Sequence, residues 1–383
     1  MLKYFKDQKD IRDFNNKGFD IRNKYLSSKN NSFNCSYSGC NCKGVNSHTI
    51  SKESSLRHIS ENDKLLAFVA KRDKDANVTP RITEVGLNHA TTFKGFCNTH
   101  EKIFKSIDSN GITTKNDLIL QIYRQIAYSN YNCGILKSID EHITARQLKY
   151  IKTTHKDIYK HTIYKGILKE KEKKFKRGIT LKELLNEFTI YLNTLNEYSP
   201  KLLNDEGFYI DRLSIKIYFK RINFVIPVAL INDFGFNNMG NITNTFFSII
   251  PNHLSTDIIM VVDKRYESWA DNLWNYYTQS HINILNFVEV IMMLSEFWFI
   301  KPSIIENMSD KKKDFLTSDI RYVNERNFGE YDFSIFDDIR KEFIFIENKE
   351  IQERELNKIN IIPKRDSIDI RESRLTEYIT KFY

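Results

Sequence analysis

The segment Cys97-Asn98-Thr99-His100 places a thiol and an imidazole at C-x2-H spacing, and Cys35, Cys40 and Cys42 stand upstream of it. Zinc takes four soft or borderline ligands in a tetrahedron, commonly as two pairs brought together by a turn and a helix start. Helical spacing sets Cys97 and His100 near one helix N-terminus, where backbone N–H groups also favour thiolate. Cys35 with Cys40 or with Cys42 forms the other half, on a loop or hairpin rich in Ser, Asn and Gly. The competing reading is separate buried cysteines acting as small hydrophobes. Polar neighbours (Asn34, Ser36, Ser38, Asn41 and Asn98) speak against it.

The redox context agrees. The chain starts Met1-Leu2-Lys3-Tyr4-Phe5-Lys6-Asp7, which lacks the apolar run of a secretory signal. A cytoplasmic location is therefore expected, and five cysteines there read as metal ligands rather than disulfides. Hydrophobic residues make up 41% of the 383 positions, enough for a packed core, which excludes wholesale disorder. With 13 Gly and 6 Pro, collagen and Pro-rich linkers are excluded as well. The most apolar stretch, Ile284 to Ile300, is interrupted by Asn286, Glu289, Ser295 and Glu296. It reads as a buried helix, not a membrane span.

The fold class expected is α+β, with an N-terminal treble-clef-like zinc module, a helical basic middle and a C-terminal strand-plus-helix domain. Residues 1–30 read as a helical arm and 31–110 as the zinc-binding module. Residues 111–205 are helical: Leu118, Ile119, Ile122, Tyr123 and Ile126 recur at helical spacing, as do Leu181, Leu184, Leu185 and Phe188. Residues 206–310 form an α/β domain of open role. In it Ile215, Ile217 and Phe219 alternate as in a strand, and Phe224 to Ile231, Phe246 to Ile250 and Ile258 to Val262 read as further strands. Asn237 to Asn241 is a turn and Trp269 to Trp298 mainly helix. The charged region 311–383 holds one expected strand, Phe343 to Ile346.

A split Cys pair, a His on an intervening strand and a Cys pair opening a helix resemble the treble-clef zinc fold of HNH endonucleases. More narrowly, Ser47-His48-Thr49-Ile50-Ser51-Lys52 and Phe93-Lys94-Gly95-Phe96-Cys97-Asn98-Thr99-His100-Glu101 resemble a group of uncharacterised bacterial proteins. These carry S-H-I-x-x-K and F-x-G-F-C-x-x-H-D motifs. Ile226-Pro227-Val228-Ala229 and Phe297 to Pro302 are similar to the same group, so the resemblance spans about residues 30 to 310. The uncharacterised group implies no established activity; the HNH resemblance implies His48 as the general base that activates water, Asn88 as its orienter, and Glu101 in the place of the usual last His. It also implies structural Zn²⁺, a catalytic Mg²⁺ near Glu101 and a setting in bacterial defence. Two positions depart from the pattern: Ser47 stands where many HNH enzymes have a metal-binding Asp, and Glu101 is a carboxylate. His48 can also be read as a hydrogen-bonded strand His or a zinc ligand, and His89 is an alternative base.

Net charge is +9, and the segment Arg146 to Arg177 alone carries that excess. Arg146, Lys149, Lys152, Lys156, Lys160 and Lys165 recur at spacings that one helix could present as a stripe. Tyr150, Tyr159 and Tyr164 are interleaved for stacking. Such a row suits salt-dependent, sequence-independent nucleic-acid binding. Glu347-Asn348-Lys349, with Asp337 and Asp338 upstream, is a faint D…E-x-K pattern of the restriction-nuclease type, expected by chance in a chain rich in Glu and Lys. Glu289 and Glu296, two helical turns apart on an apolar helix, read as a satisfied polar seam or a surface stripe rather than a di-carboxylate site. The function expected is metal-dependent, HNH-like phosphodiester hydrolysis on nucleic acid. The alternative is a non-catalytic zinc protein that binds nucleic acid or a protein partner.

Overall fold

A computed structural model describes residues 33–72, 78–154, 180–195, 206–238, 241–295, 297–321 and 331–360, with Asp20 and Ile362 besides. Its centre is an eight-stranded antiparallel sheet in the order β3-β2-β10-β7-β8-β9-β6-β5. The strands are β2 (Lys64–Arg72), β3 (Val78–Gly86), β5 (Glu206–Ile210), β6 (Ile215–Ile222), β7 (Val228–Asn238), β8 (Asn241–Pro251), β9 (Thr256–Asp263) and β10 (Trp298–Ile300). Mixed helix and sheet agrees with the α+β class.

Both faces of this sheet are covered, and the period-2 alternation of its strands feeds two cores. Ile217 and Phe219 of β6, Ile259 and Val261 of β9, Phe246 of β8 and Ile231 of β7 point to one face. Tyr218, Met260, Val262, Phe247, Ile249 and Leu230 point to the other. That is why β9 reads as a continuous apolar run: seven of its eight residues are buried. The first face is packed by the 40-residue helix α3 (Lys115–Thr154), through Leu118, Ile119, Ile122, Tyr123 and Ile126. The helical segment 180–192 adds Leu181, Leu185 and Phe188 there. The second face is packed by α4 (Glu267–Thr278) and α5 (His281–Leu294), and behind them by α6 (Pro302–Glu306), α7 (Asp310–Arg321), α8 (Asp337–Ile344) and α9 (Lys349–Asn360).

A second, two-stranded sheet pairs β1 (Asn46–His48) with β4 (Thr92–Lys94), antiparallel, Ser47 opposite Phe93 and His48 opposite Thr92. Between them the chain makes a π-helical turn, Lys52–Leu56, and then contributes β2 and β3 to the large sheet. β10 bridges the two parts: Ile300 pairs with Leu66 on one side and Val228 on the other. Residues 64–86 and 206–300 thus share one sheet, which runs across the divisions at 110 and 205 suggested by composition.

Three local expectations are corrected. Phe343 to Ile346 is not a strand: Phe343 and Ile344 end α8, and Phe345 and Ile346 follow it exposed. The helix wins because Asp337 and Asp338 sit in its first turn, where the dipole favours them, and Arg340 and Ile344 share its buried face at i, i+4. The run from Phe224 becomes strand only at Val228, since Pro227 lacks an N–H for the ladder. Trp298 lies on β10 rather than a helix and is fully buried.

Candidate metal centre

The Asn34–Lys43 bridge and the bond from Cys35 N–H to the Cys42 carbonyl (2.8 Å) close a small hairpin. At its tip Gly39 takes φ +81°, a conformation that glycine adopts without strain, and Cys40 N–H donates to the Tyr37 carbonyl. This turn folds Cys40 back over Cys35. The second pair arrives on α1 (Asn98–Glu101), with Cys97 as its N-cap, and α2 (Lys105–Asn110) follows. Gly44 N–H bonds Phe33 O, and Ser36 N–H bonds Gly95 O. Val45 and Phe96 are likewise joined, so the hairpin is stitched to the chain just before Cys97.

One ligand atom from each of Cys35, Cys40, Cys97 and His100 lies within 4.8 Å of all the others. A zinc tetrahedron with Zn–S about 2.3 Å and Zn–N about 2.0 Å has S–S edges of about 3.8 Å and S–N edges of about 3.5 Å. Here Cys40 Sγ and Cys97 Sγ are 3.9 Å apart, and His100 Nδ1 lies 3.4 Å from Cys35 Sγ and 3.3 Å from Cys97 Sγ. The cluster could hold a metal ion such as zinc. Cys42, the other sequence candidate, is exposed and lies outside the four. The Cys40 thiol beside it pushes its proton affinity up.

Local electrostatics prepares the site unevenly. The backbone N–H groups of His100 and Thr99 bring the Cys97 thiol down to about 6, towards thiolate. Burial raises Cys35 to about 12 despite backbone bonds such as Cys97 N–H to its Sγ. Tyr37 stacks flat on the His100 ring at 3.9 Å between centroids. Its hydroxyl donates to Asn193 Oδ1, and Ser38 N–H to Thr189 Oγ1, which ties the centre to the segment 180–195.

His48 sits at the end of β1, half-buried. Its Nδ1 is 3.0 Å from the Ala90 carbonyl. A carbonyl only accepts, so Nδ1 carries the proton and Nε2 is the basic nitrogen. Burial lowers its proton affinity, and the charges of Arg124 and Lys52 add to the effect. His48 is therefore held neutral near pH 7. Its neighbour Thr91 is buried and adopts φ +57°, which costs a β-branched residue about 1–2 kcal/mol.

On the core side of β1, Ser47 Oγ donates to Glu101 Oε2 at 2.5 Å and accepts from Phe96 N–H at 3.1 Å. Gly95 makes room for this: a Cβ there would fall 2.9 Å from Ser47 Oγ and 2.6 Å from the Phe93 ring. Glu101 Oε1 is 3.8 Å from Arg124, a fully buried guanidinium of α3 that grips Asp108 with two bonds and lies 4.2 Å over the Phe104 ring. Burial raises the Glu101 carboxyl, with Arg124 opposing.

The expected HNH-type trio is thus rearranged. His48 and Glu101 belong to neighbouring structure, but Asn88 does not orient His48: it is exposed and accepts from Lys52 Nζ at 3.3 Å, and the Ala90 carbonyl takes the orienting part. His89 is exposed. Arg124 and Asp108 were not singled out by the sequence, because an Arg on an apolar helix gives no local sign of its distant carboxylates. Arg146, Lys149 and Lys152 lie in the C-terminal half of α3, about 33 to 42 Å along its axis from Arg124 at about 1.5 Å per residue. Lys156, Lys160 and Lys165 lie outside the described residues. The E-x-K pattern breaks up: Glu347 follows α8 and Lys349 begins α9, while Asp337 pairs with Lys312. Among the described residues no helix is long and apolar enough to cross a membrane. Compared with protein-family models, curated proteins and solved structures, the chain matches none.

Proposed function

We propose that Cys35, Cys40, Cys97 and His100 bind a structural Zn²⁺ in a treble-clef-like module, and that this module carries an HNH-like phosphodiester hydrolase centred on His48. The observation that carries the reading is the Nδ1–Ala90 bond, which makes Nε2 of a neutral imidazole available to take a proton from water. Lys52, whose charge reaches His48 and which also pairs with Glu53 at 3.1 Å, is the cation this reading assigns to the phosphate. The basic stretch opened by Arg146, Lys149 and Lys152 favours nucleic acid as the substrate class.

Catalytic Mg²⁺ fits the residues poorly. Glu101 is engaged by Ser47 and faces Arg124, and Asp108 is committed to the same guanidinium. Two carboxylates neutralised by an arginine are a weak donor set for a hard cation, so no step is routed through Mg²⁺ here. The same engagement of Glu101 favours a second reading, a zinc protein that binds nucleic acid or a protein partner without turnover.

The test uses the full chain and H48A, with zinc measured on both, against labelled single- and double-stranded DNA and RNA. Cleavage by wild type that H48A loses while keeping its zinc supports the hydrolase. Equal cleavage by both overturns it. Salt-sensitive binding with no cleavage by either leaves the binding protein as the reading.

A further inference from the structure

We propose that Thr91 is a positioning residue whose left-handed backbone and buried hydroxyl lock His48 in the Nδ1–H tautomer. The catalytic consequence rests on the hydrolase reading above; the positioning itself does not.

Strain in a buried, β-branched residue persists only where its surroundings over-determine it. Thr91 is such a case. Its Oγ1 donates to the Ile50 carbonyl at 3.1 Å, and its own carbonyl accepts from Thr49 N–H at 2.9 Å and from Thr49 Oγ1 at 3.0 Å. Gln121 Nε2, from α3, donates to the Thr49 carbonyl at 2.9 Å and holds the strand end in place. These bonds tie the residues that follow His48, 49 and 50, to residue 91 beside its strand partner Thr92. The backbone preceding Thr91 is the Ala90 carbonyl, so the conformation at 91 decides where that oxygen points. It points at His48 Nδ1, and Thr91 Oγ1 stands 3.5 Å from the same nitrogen. Without the hydroxyl, residue 91 keeps its carbonyl bonds from Thr49 but loses the side-chain anchor to Ile50 that favours the left-handed region. An ordinary extended conformation then becomes available, and the Ala90 oxygen turns away from the imidazole.

The outcome can be read without any activity. Two-bond proton–nitrogen spectra of the full-length protein, labelled at histidine, report the tautomer of His48, assigned by the signal that H48A lacks. Wild type above pH 7 should show Nδ1–H alone; an Nε2–H form or a mixture there overturns the proposal. In T91V, which keeps the branched shape and loses the hydroxyl, both tautomers should appear in comparable amounts. T91A serves the same purpose if T91V does not fold. T91N should return the spectrum to Nδ1–H, because Asn tolerates the left-handed region and can bond Ile50 O. A hydroxyl-free variant that is folded and still purely Nδ1–H also overturns it. Cleavage assays then separate the two claims. A tautomer change in a chain that never cleaves leaves the positioning intact and removes the hydrolase. In an active enzyme, T91V should lose about tenfold or more in kcat with KM little changed, and T91N should recover it.

Discussion

Ser47 Oγ donates a hydrogen bond to Glu101 and accepts one from Phe96 N–H, so one buried hydroxyl joins the strand that bears His48 to the helix that bears His100. Where the HNH resemblance implies a metal-binding Asp, Ser47 satisfies a carboxylate instead.

Removing that hydroxyl strands two polar groups at once. S47A should lower unfolding stability by about 2–3 kcal/mol, since an unsatisfied buried donor or carboxylate costs about 1–3 kcal/mol. Chemical denaturation of the zinc-loaded protein measures it. G95A should destabilise similarly by driving a methyl group against Ser47 and Phe93. A loss under 0.5 kcal/mol in S47A would mean that Glu101 finds another donor.

Metal content separates Cys40 from Cys42. C97A and C40A should lose stoichiometric zinc, and C42A should keep about one ion per chain by elemental mass spectrometry. Chelation of wild type should lower its melting temperature, because binding energy at such a site is folding energy. Retention by C40A and loss by C42A would reverse the ligand assignment.

The buried His48 has a definite signature in pH. Its folded-state proton affinity lies below the ordinary value of about 6.5. The unfolded chain therefore binds more protons as pH falls, and His48 contributes a loss of stability that begins near pH 6.5 and grows downward to its folded pKa. His58 and His281 are also lowered, chiefly by burial, and act in the same direction. H48Q should flatten part of the slope below about pH 6.5 in denaturation series. If His48 is the base, kcat/KM should rise with pH through a value below 6.5 and then level off, a limb absent from H48Q.

A third region carries a buried charge network within its apolar core. Arg340, fully buried, bonds Glu289, Glu355, Asn286 and Ser334, and Lys358 bonds Asn286 and Glu355. Glu289 also accepts from the Ile335 and Phe336 backbone. R340A should cost about 3–5 kcal/mol by leaving buried carboxylates uncompensated. R340M paired with E289Q should recover part of it. Equal stability of R340A and wild type would show that water enters this network.

Within a few residues, physical chemistry is local, and there the sequence alone sufficed. The C-x2-H pair predicts a thiolate and an imidazole at one helix start, and α1 supplies them. The apolar alternation of β6 and the spacing of Leu118, Ile119, Ile122 and Ile126 likewise announce a strand and a buried helix face. Glu289 read as a satisfied polar seam is bonded on both oxygens.

What depended on tertiary structure has a common cause, which is that the partner is far away in the chain. Cys40 and Cys42 are equivalent by type and spacing, and only the turn at Gly39 folds one of them over Cys35. Asn88 and Ala90 both lie near His48 in the fold, but the left-handed bend at Thr91 gives the imidazole to a backbone carbonyl, a group with no sequence signature. Phe343 to Ile346 is apolar enough for a strand, and packing of Arg340 against Glu289 makes the preceding residues helix instead. β2 finds its neighbour in β10, and Arg124 finds Asp108 and Glu101, through contacts that close long loops. The amino-acid pattern determined which groups were chemically able to bind metal or move a proton. The fold decided which of them meet, because only its packing brings distant backbone and charge within bonding distance.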